Sequence, residues 1–273
     1  MVGKELEKIS EKRLSDVAAE GDSRGITIQR VGVKDVHLPI QVRRKGSSLV
    51  SALARIDLAV ELPHHFRGTH MSRFVEILFQ FSQHPIGPAE IEEMLAEARN
   101  RLGARKADLR LVFKYFIPKR APASGAESAL DYGCLFEGEK DEKAFTFSLG
   151  VEVPVTLLCP CSKEISDHGA HSQRAMVKVK IRTRPGEFIW IEDLVALVEA
   201  QASSSLYPVL KREDEKFVTE HAYDNPKFVE DMLRDVVVAL RAAEPRITWF
   251  EVSCESLESI HNHSVFAYQQ EGK

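Results

Sequence analysis

The chain has 273 residues, 44% hydrophobic and 29% charged, with 15 Gly, 12 Pro and four Cys, which excludes collagenous and Pro/Gly-rich disordered classes. A chain of this length buries about three quarters of its unfolded surface in one large or two modest domains and needs no disulfide staples. Its 37 basic and 41 acidic residues give a net charge of −4, which excludes the basic footprint of a general nucleic-acid binder but leaves small anionic ligands open.

Residues 1–25 are charged, with scattered Gly and Ser and no sustained apolar period, and read as a flexible tail. They lack the apolar core of a secretory signal, and no later run approaches the roughly 18 apolar residues of a membrane helix. Cys134, Cys159, Cys161 and Cys254 do not make a disulfide framework, so a reduced, cytoplasmic protein is expected.

Strand-like patterns cover 31–42 and 48–62. Met71, Phe74, Val75 and Leu78 then fall at i, i+3, i+4 and i+7, one face of a helix. Pro88 opens a second helix, with Ile91, Met94, Leu95, Ala98 and Leu102 on one stripe and Gly103 as its stop. Strands at 109–117 and 129–136 lead into a polar turn at 138–142. Phe145, Phe147, Leu149, Val151 and Val153 alternate as on a half-buried strand, and Val177, Val179 and Ile181 alternate with Lys178, Lys180 and Arg182. Ile191, Leu194, Val195 and Val198 mark a helix. Another opens at Asn225-Pro226 and carries Val229, Met232, Leu233, Val236, Val237 and Leu240. Strands at 247–254 and 263–268 follow.

The order β-β-α-α-β-β thus occurs twice, with a break near 140, giving modules at 26–140 and 141–273. Antiparallel hairpins covered by paired helices make an α+β class. No strand runs into G-x-G-x-x-G or G-x-x-x-x-G-K-[ST], so neither a Rossmann site nor a P-loop is supported.

The densest polar stretch, 158–174, directly follows an apolar strand and holds Cys159, Cys161, Lys163, Glu164, Asp167, His168, His171 and Arg174. Thiolate and imidazole suit zinc or a similar borderline metal, while the C-x-C spacing taken alone favours two small buried residues. In 255–263, His261 and His263 share a face if the chain is extended; otherwise they are exposed imidazoles in a polar loop. The run 210–217 has the charge density of a solvated face, yet Glu215 within it can complete a Cys/His/Glu metal set. Glu230 reads either as an exposed i,i+4 partner of Arg234 or as a site carboxylate.

Four separated segments, in order, resemble the type IB GTP cyclohydrolases: Gly68-Thr-His-Met-Ser-Arg-Phe74, Pro154 through Arg174 with its Leu-Cys-Pro-Cys-Ser core, Tyr207 through Glu220, and Glu258-Ser-Ile-His-Asn-His263. The resemblance covers nearly the whole chain after about residue 25. It implies two tandem tunnelling-fold modules per chain, the second carrying most catalytic residues, and homotetramers with active sites at subunit interfaces. It further implies conversion of GTP and water to 7,8-dihydroneopterin triphosphate and formate, the first step of tetrahydrofolate and pterin biosynthesis. One divalent metal per site, zinc, manganese or iron, is implied, with no nicotinamide or flavin, no nucleic acid and no membrane.

Residue by residue, the resemblance makes Cys159 a metal ligand and catalytic cysteine, and Glu215 and His261 the other metal ligands. It makes His171 the catalytic histidine, Glu258 a further catalytic carboxylate and Glu230 the anchor of guanine. The types suit the task. A three-ligand metal keeps an open position for water and lowers its pKa towards about 7. A histidine takes and returns protons near neutral pH, and a carboxylate facing guanine N1–H and the 2-amino group accepts two bonds that adenine does not offer. Lys163, Arg174 and Lys178 are the nearby cations for a triphosphate. Two alternatives remain at this level: a reductase of the same fold using Cys159 as a covalent nucleophile with NADPH, and a non-catalytic module with a closed structural zinc site.

Overall fold

Long alternating strands dominate the molecule. In chain order the elements are β1 (Ile28–Arg43), β2 (Leu49–Leu62), α1 (Met71–Ser82), β3 (Pro85–Ile86), α2 (Pro88–Leu102), β4 (Ala107–Arg120), β5 (Glu127–Lys140) and β6 (Phe145–Leu158). Then come α3 (Pro160–Ile165), β7 (Ser172–Thr183), α4 (Ile191–Glu199), β8 (Ser204–Ser205), α5 (Arg212–Asp224), α6 (Val229–Ala242), β9 (Ile247–Leu257) and β10 (Ser264–Gly272). This computed structural model describes residues 16, 18, 20–46, 48–243 and 246–272; most of the stretch 1–25 read as a tail lies outside them.

The strands form one sheet in the order β10-β9-β7-β6-β5-β4-β2-β1-β3, with β8 paired to β6. Every pairing is antiparallel except the two-residue contact of β3 with β1. Period-two burial explains why: Ala54, Ile56, Leu58, Val60 and Leu62 of β2 and Ala175, Val177, Val179 and Ile181 of β7 are all buried, and their neighbours face away. The buried residues make one contiguous core running through both halves of the chain. Among the described residues no helix is long and apolar enough to cross a membrane.

The first half follows the expected order apart from the short β3. The second half departs from it, with four helices between β6 and β9 instead of two. The additional α3 buries no residue and α5 buries only Asp214 and Ala222, so neither carries an apolar stripe that periodicity detects. α1 is rotated from the expected face: Phe74, Ile77 and Leu78 are buried, whereas Met71 and Val75 are each 44% exposed. The set 74, 77, 78 satisfies i, i+3, i+4 as well as the expected set does. α2 buries the five residues expected of it, and Gly103 caps it in the left-handed region at φ 64°.

Gly138 lies inside β5 rather than in a turn. A Cβ there would come within 2.6 Å of Ile91 Cγ2, so this is where α2 presses on the sheet. The turn falls at 141–144, where Asp141 Oδ1 accepts from the Lys143 and Ala144 amides at 2.7 and 2.8 Å. α6 begins at Val229, capped by Asp231 accepting from the Phe228 amide at 3.1 Å, so Pro226 belongs to the preceding loop.

The described residues from Asp16 to Asp22 lie against the segment before α1. Arg67 N donates to Glu20 O, Gly68 N to Ala18 O, and His70 contacts Asp16 at 3.0 Å. A second tie joins the two halves. Tyr115 and Tyr132 are directly opposed on β4 and β5, and both are buried. Their hydroxyls donate to Glu192 and Glu199, at the two ends of α4, each at 2.6 Å. Lys119 also reaches Glu199, and both side chains of that pair are only 12% exposed.

Candidate active site

Cys159 directly follows β6 and caps α3. Its backbone is extended, Pro160 occupies the first helical position, where a missing N–H costs nothing, and Sγ accepts from Ser162 N at 3.5 Å. The same Ser162 closes the loop that follows. Its hydroxyl donates to Cys159 O and accepts from His171 N, both at 3.1 Å, while Cys159 N donates to His171 O at 3.0 Å. Gly169, at φ 100°, supplies the left-handed turn that brings the chain back. Cys159 and His171, twelve positions apart, are therefore pinned backbone to backbone.

β7 starts at Ser172 and pairs with β9 in a register that opposes Ala175 to Ser256. Continued towards the strand end, that register sets Gln173 against Glu258. Gln173 Oε1 lies 2.9 Å from His171 Nδ1, and Gln173 Nε2 donates to Glu258 Oε1 at 3.4 Å. Ser259 Oγ stands 3.4 Å from His171 Nδ1. Cys159, His171 and Glu258 thus come together in one chain. Ser162, Gln173 and Ser259 join them and were missed by the sequence reading; the period-two spacing from His171 was the available signal for Gln173.

The other expected residues stand apart. Glu215 is exposed in the first turn of α5. Beside it Asp214 is buried, and that burial works against its charge. Bonds from Ser124 Oγ (2.6 Å), Ser124 N, Lys211 N and Ala123 N prevail and hold its carboxyl well below the usual range. The run around Glu215 is therefore anchored rather than simply solvated. Lys163 of α3 donates to Tyr223 O and lies 4.3 Å from the Tyr223 ring centre, tying α3 to the far end of α5. Glu215 is eight residues earlier, roughly 12 Å along the helix axis.

His261 and His263 lie in the turn between β9 and β10, both exposed, their rings stacked 5.1 Å apart at 12°. They sit in a polar loop, not on an extended chain. Among the described residues no three His, Cys, Asp or Glu side chains are grouped to hold a metal ion. Within one chain, then, Cys159, Glu215 and His261 do not fit a closed metal set.

Glu230 is exposed in the first turn of α6, which is tied to the site where Lys227 N donates to Leu158 O at 2.9 Å. Arg234 pairs with Asp231 at 3.3 Å, not with Glu230. Burial, with the Glu230 charge added, pushes the Cys254 thiol up to about 12. On the other side of the β7 start opens a cleft of about 850 Å³, lined among others by Thr156, Ser172, Arg174, Tyr207, Thr219 and Glu220. Lys178 pairs with Glu152 at 3.5 Å, whereas Arg174 makes no ion pair among the described residues.

A family model described as type I GTP cyclohydrolase FolE2 matches residues 14–267. GTP cyclohydrolase FolE2 of Geotalea uraniireducens is 52% identical over 254 residues, covering 93% of this chain and 92% of that protein. The protein of the same name from Syntrophotalea carbinolica is 53% identical over 93% and 94%. Among solved structures, uricase from Arthrobacter globiformis superposes with a TM-score of 0.53 over 90% of this chain and 93% of its own, at 11% identity. A hyperthermostable mutant of urate oxidase from Bacillus sp. TB-90 gives 0.54 over 90% and 99%, at 9% identity. Those two likenesses are of fold alone. Identity near one half, sustained over more than nine tenths of the chain, carries the assignment: the chain belongs to the type I GTP cyclohydrolase FolE2 family.

Proposed function

We propose that the chain opens the imidazole ring of guanine in GTP and, with water, yields 7,8-dihydroneopterin triphosphate and formate, the first step of folate-type cofactor synthesis. The observation that carries this reading is the gathering of Cys159, His171 and Glu258 from two distant segments in a chain of that family.

Each group has a task there. Water must add at C8 and open the ring at one C8–N bond, a second water must cleave the remaining C8–N bond to release formate, and the later reclosure returns one water, with protons moved at each stage. His171 supplies and removes those protons, since an imidazole works in both directions near neutral pH. Glu258 serves the later rearrangement and reclosure as a second acid/base group. Glu230 receives guanine N1–H and the 2-amino group, a pair of charge-assisted bonds that selects guanine. Arg174, unpaired beside the large cleft, is the best placed of the three cations for the triphosphate.

We read the metal as one divalent ion, zinc, manganese or iron, that lowers the pKa of water when bound, with Cys159, Glu215 and His261 as its ligands. Because one chain leaves these three apart, the reading places the set between copies of a homotetramer. Exposed Leu257 (63%) and Phe266 (79%) beside the β9–β10 turn support an assembly covering that edge. Two tunnelling-fold modules, 26–140 and 141–273, and a reduced cytoplasmic setting for the four free cysteines complete the reading. Incubation with GTP and each metal in turn, followed by oxidation, is expected to give a fluorescent pterin. Consumption of NADPH in place of GTP would instead mark a reductase.

A further inference from the structure

Gln173 is absent from the set of acids, bases and ligands argued so far, yet it touches two of them. Its side-chain amide lies between the His171 ring and the Glu258 carboxylate. An amide has one donor end and one acceptor end, and which is which decides what each neighbour must be. An ionised carboxylate only accepts, so the end facing Glu258 Oε1 is the NH2 group. The carbonyl oxygen is then left facing His171 Nδ1 at 2.9 Å, and an oxygen at that distance needs a hydrogen on the ring nitrogen. The order of donors runs His171 Nδ1–H to Gln173 O, and Gln173 N–H to Glu258.

We propose that Gln173 is a positioning residue that holds His171 in the Nδ1–H tautomer, leaving the Nε2 lone pair for the reacting molecule, with Glu258 fixing the orientation of Gln173. The inference rests on the function proposed above for the value of that tautomer, but the tautomer itself is a property of the free protein. Ser259 supports the arrangement, its hydroxyl within 3.4 Å of Nδ1 and 3.5 Å of Gln173 Oε1. The histidine's backbone is bonded on both sides, to Cys159 and to Ser162, which fixes where its side chain starts. A wrong tautomer in such a site is costly because it offers a hydrogen where a lone pair is needed.

The test reads the ring directly. In ¹⁵N-histidine-labelled full-length protein without GTP, His171, assigned by its loss in His171→Ala, is expected to show a protonated Nδ1 and a bare Nε2. Gln173→Met, close in size but without either polar end, is expected to move that signal towards the Nε2–H form. Gln173→Glu keeps an oxygen opposite Nδ1 and is expected to retain the proton there. With GTP, Gln173→Met is expected to lose roughly tenfold or more in kcat with KM within about twofold, since the ring acts on the transition state rather than on binding. An unchanged His171 spectrum in Gln173→Met, or a wild-type ring carrying its hydrogen on Nε2, overturns the proposal. A wild-type protein that gives the expected spectrum but turns over no GTP leaves the tautomer standing and removes the proposed function instead.

Discussion

His171 and Glu230 are the two residues whose roles separate most cleanly by measurement. His171 sits in a bonded cluster that belongs to one chain, and the role proposed for it puts its loss in proton transfer rather than in folding. His171→Ala is expected to lower kcat for GTP by roughly 10²–10⁴-fold with the melting temperature close to wild type; steady-state kinetics with a thermal melt checks this. Glu230, exposed and without an ion-pair partner among the described residues, contributes little to stability. In the role proposed for Glu230, Glu230→Gln keeps the shape but turns one acceptor into a donor facing guanine's own donors. A mismatch of that kind costs on the order of 1–3 kcal/mol, so kcat/KM for GTP is expected to fall about tenfold or more with the fold unaltered. Unchanged kinetics would return Glu230 to the solvated face of α6.

Buried polar contacts help to hold the elements of the second half. Glu199→Leu in α4 strands the Lys119 ammonium and the Tyr132 hydroxyl in a site that excludes most water. Breaking a buried pair in this way is expected to cost about 3 kcal/mol or more, read from denaturant unfolding. Asp214 makes a pH-dependent contribution. Its folded pKa is depressed, so its stabilisation is present above the ordinary carboxylate pKa of about 4 and is lost as pH falls below it. Asp214→Asn is therefore expected to lower the melting temperature at neutral pH, with the gap to wild type narrowing below about pH 4. The same elements show what a sequence discloses. The five-residue stripe of α2 was legible because it buries one clean face. α5 was not, because its only inward-facing groups are a carboxylate and an alanine. Cys159, His171 and Glu258 stood out as chemically active types, whereas Gln173 and Ser162 are common neutral residues whose importance lies in whom they touch. The pairing of Arg234 with Asp231 instead of Glu230 turns on rotamers, which spacing does not specify.

At the scale of the molecule, one sheet spans both halves of the chain, and the candidate site lies in the second half. The two helices that break the repeat, α3 and α5, are the ones that bear Cys159 at its cap and Glu215 in its first turn. Cys159, Glu215 and His261 stand apart in one chain, so the proposed ligand set requires assembly. GTP labelled with ¹³C at C8 reads the chemical reaction itself. Incubated with the metal-loaded protein, the label is expected to leave as ¹³C-formate, one equivalent for each pterin formed, as followed by NMR. Label that stays in the nucleotide with zinc, manganese and iron each supplied would contradict the account.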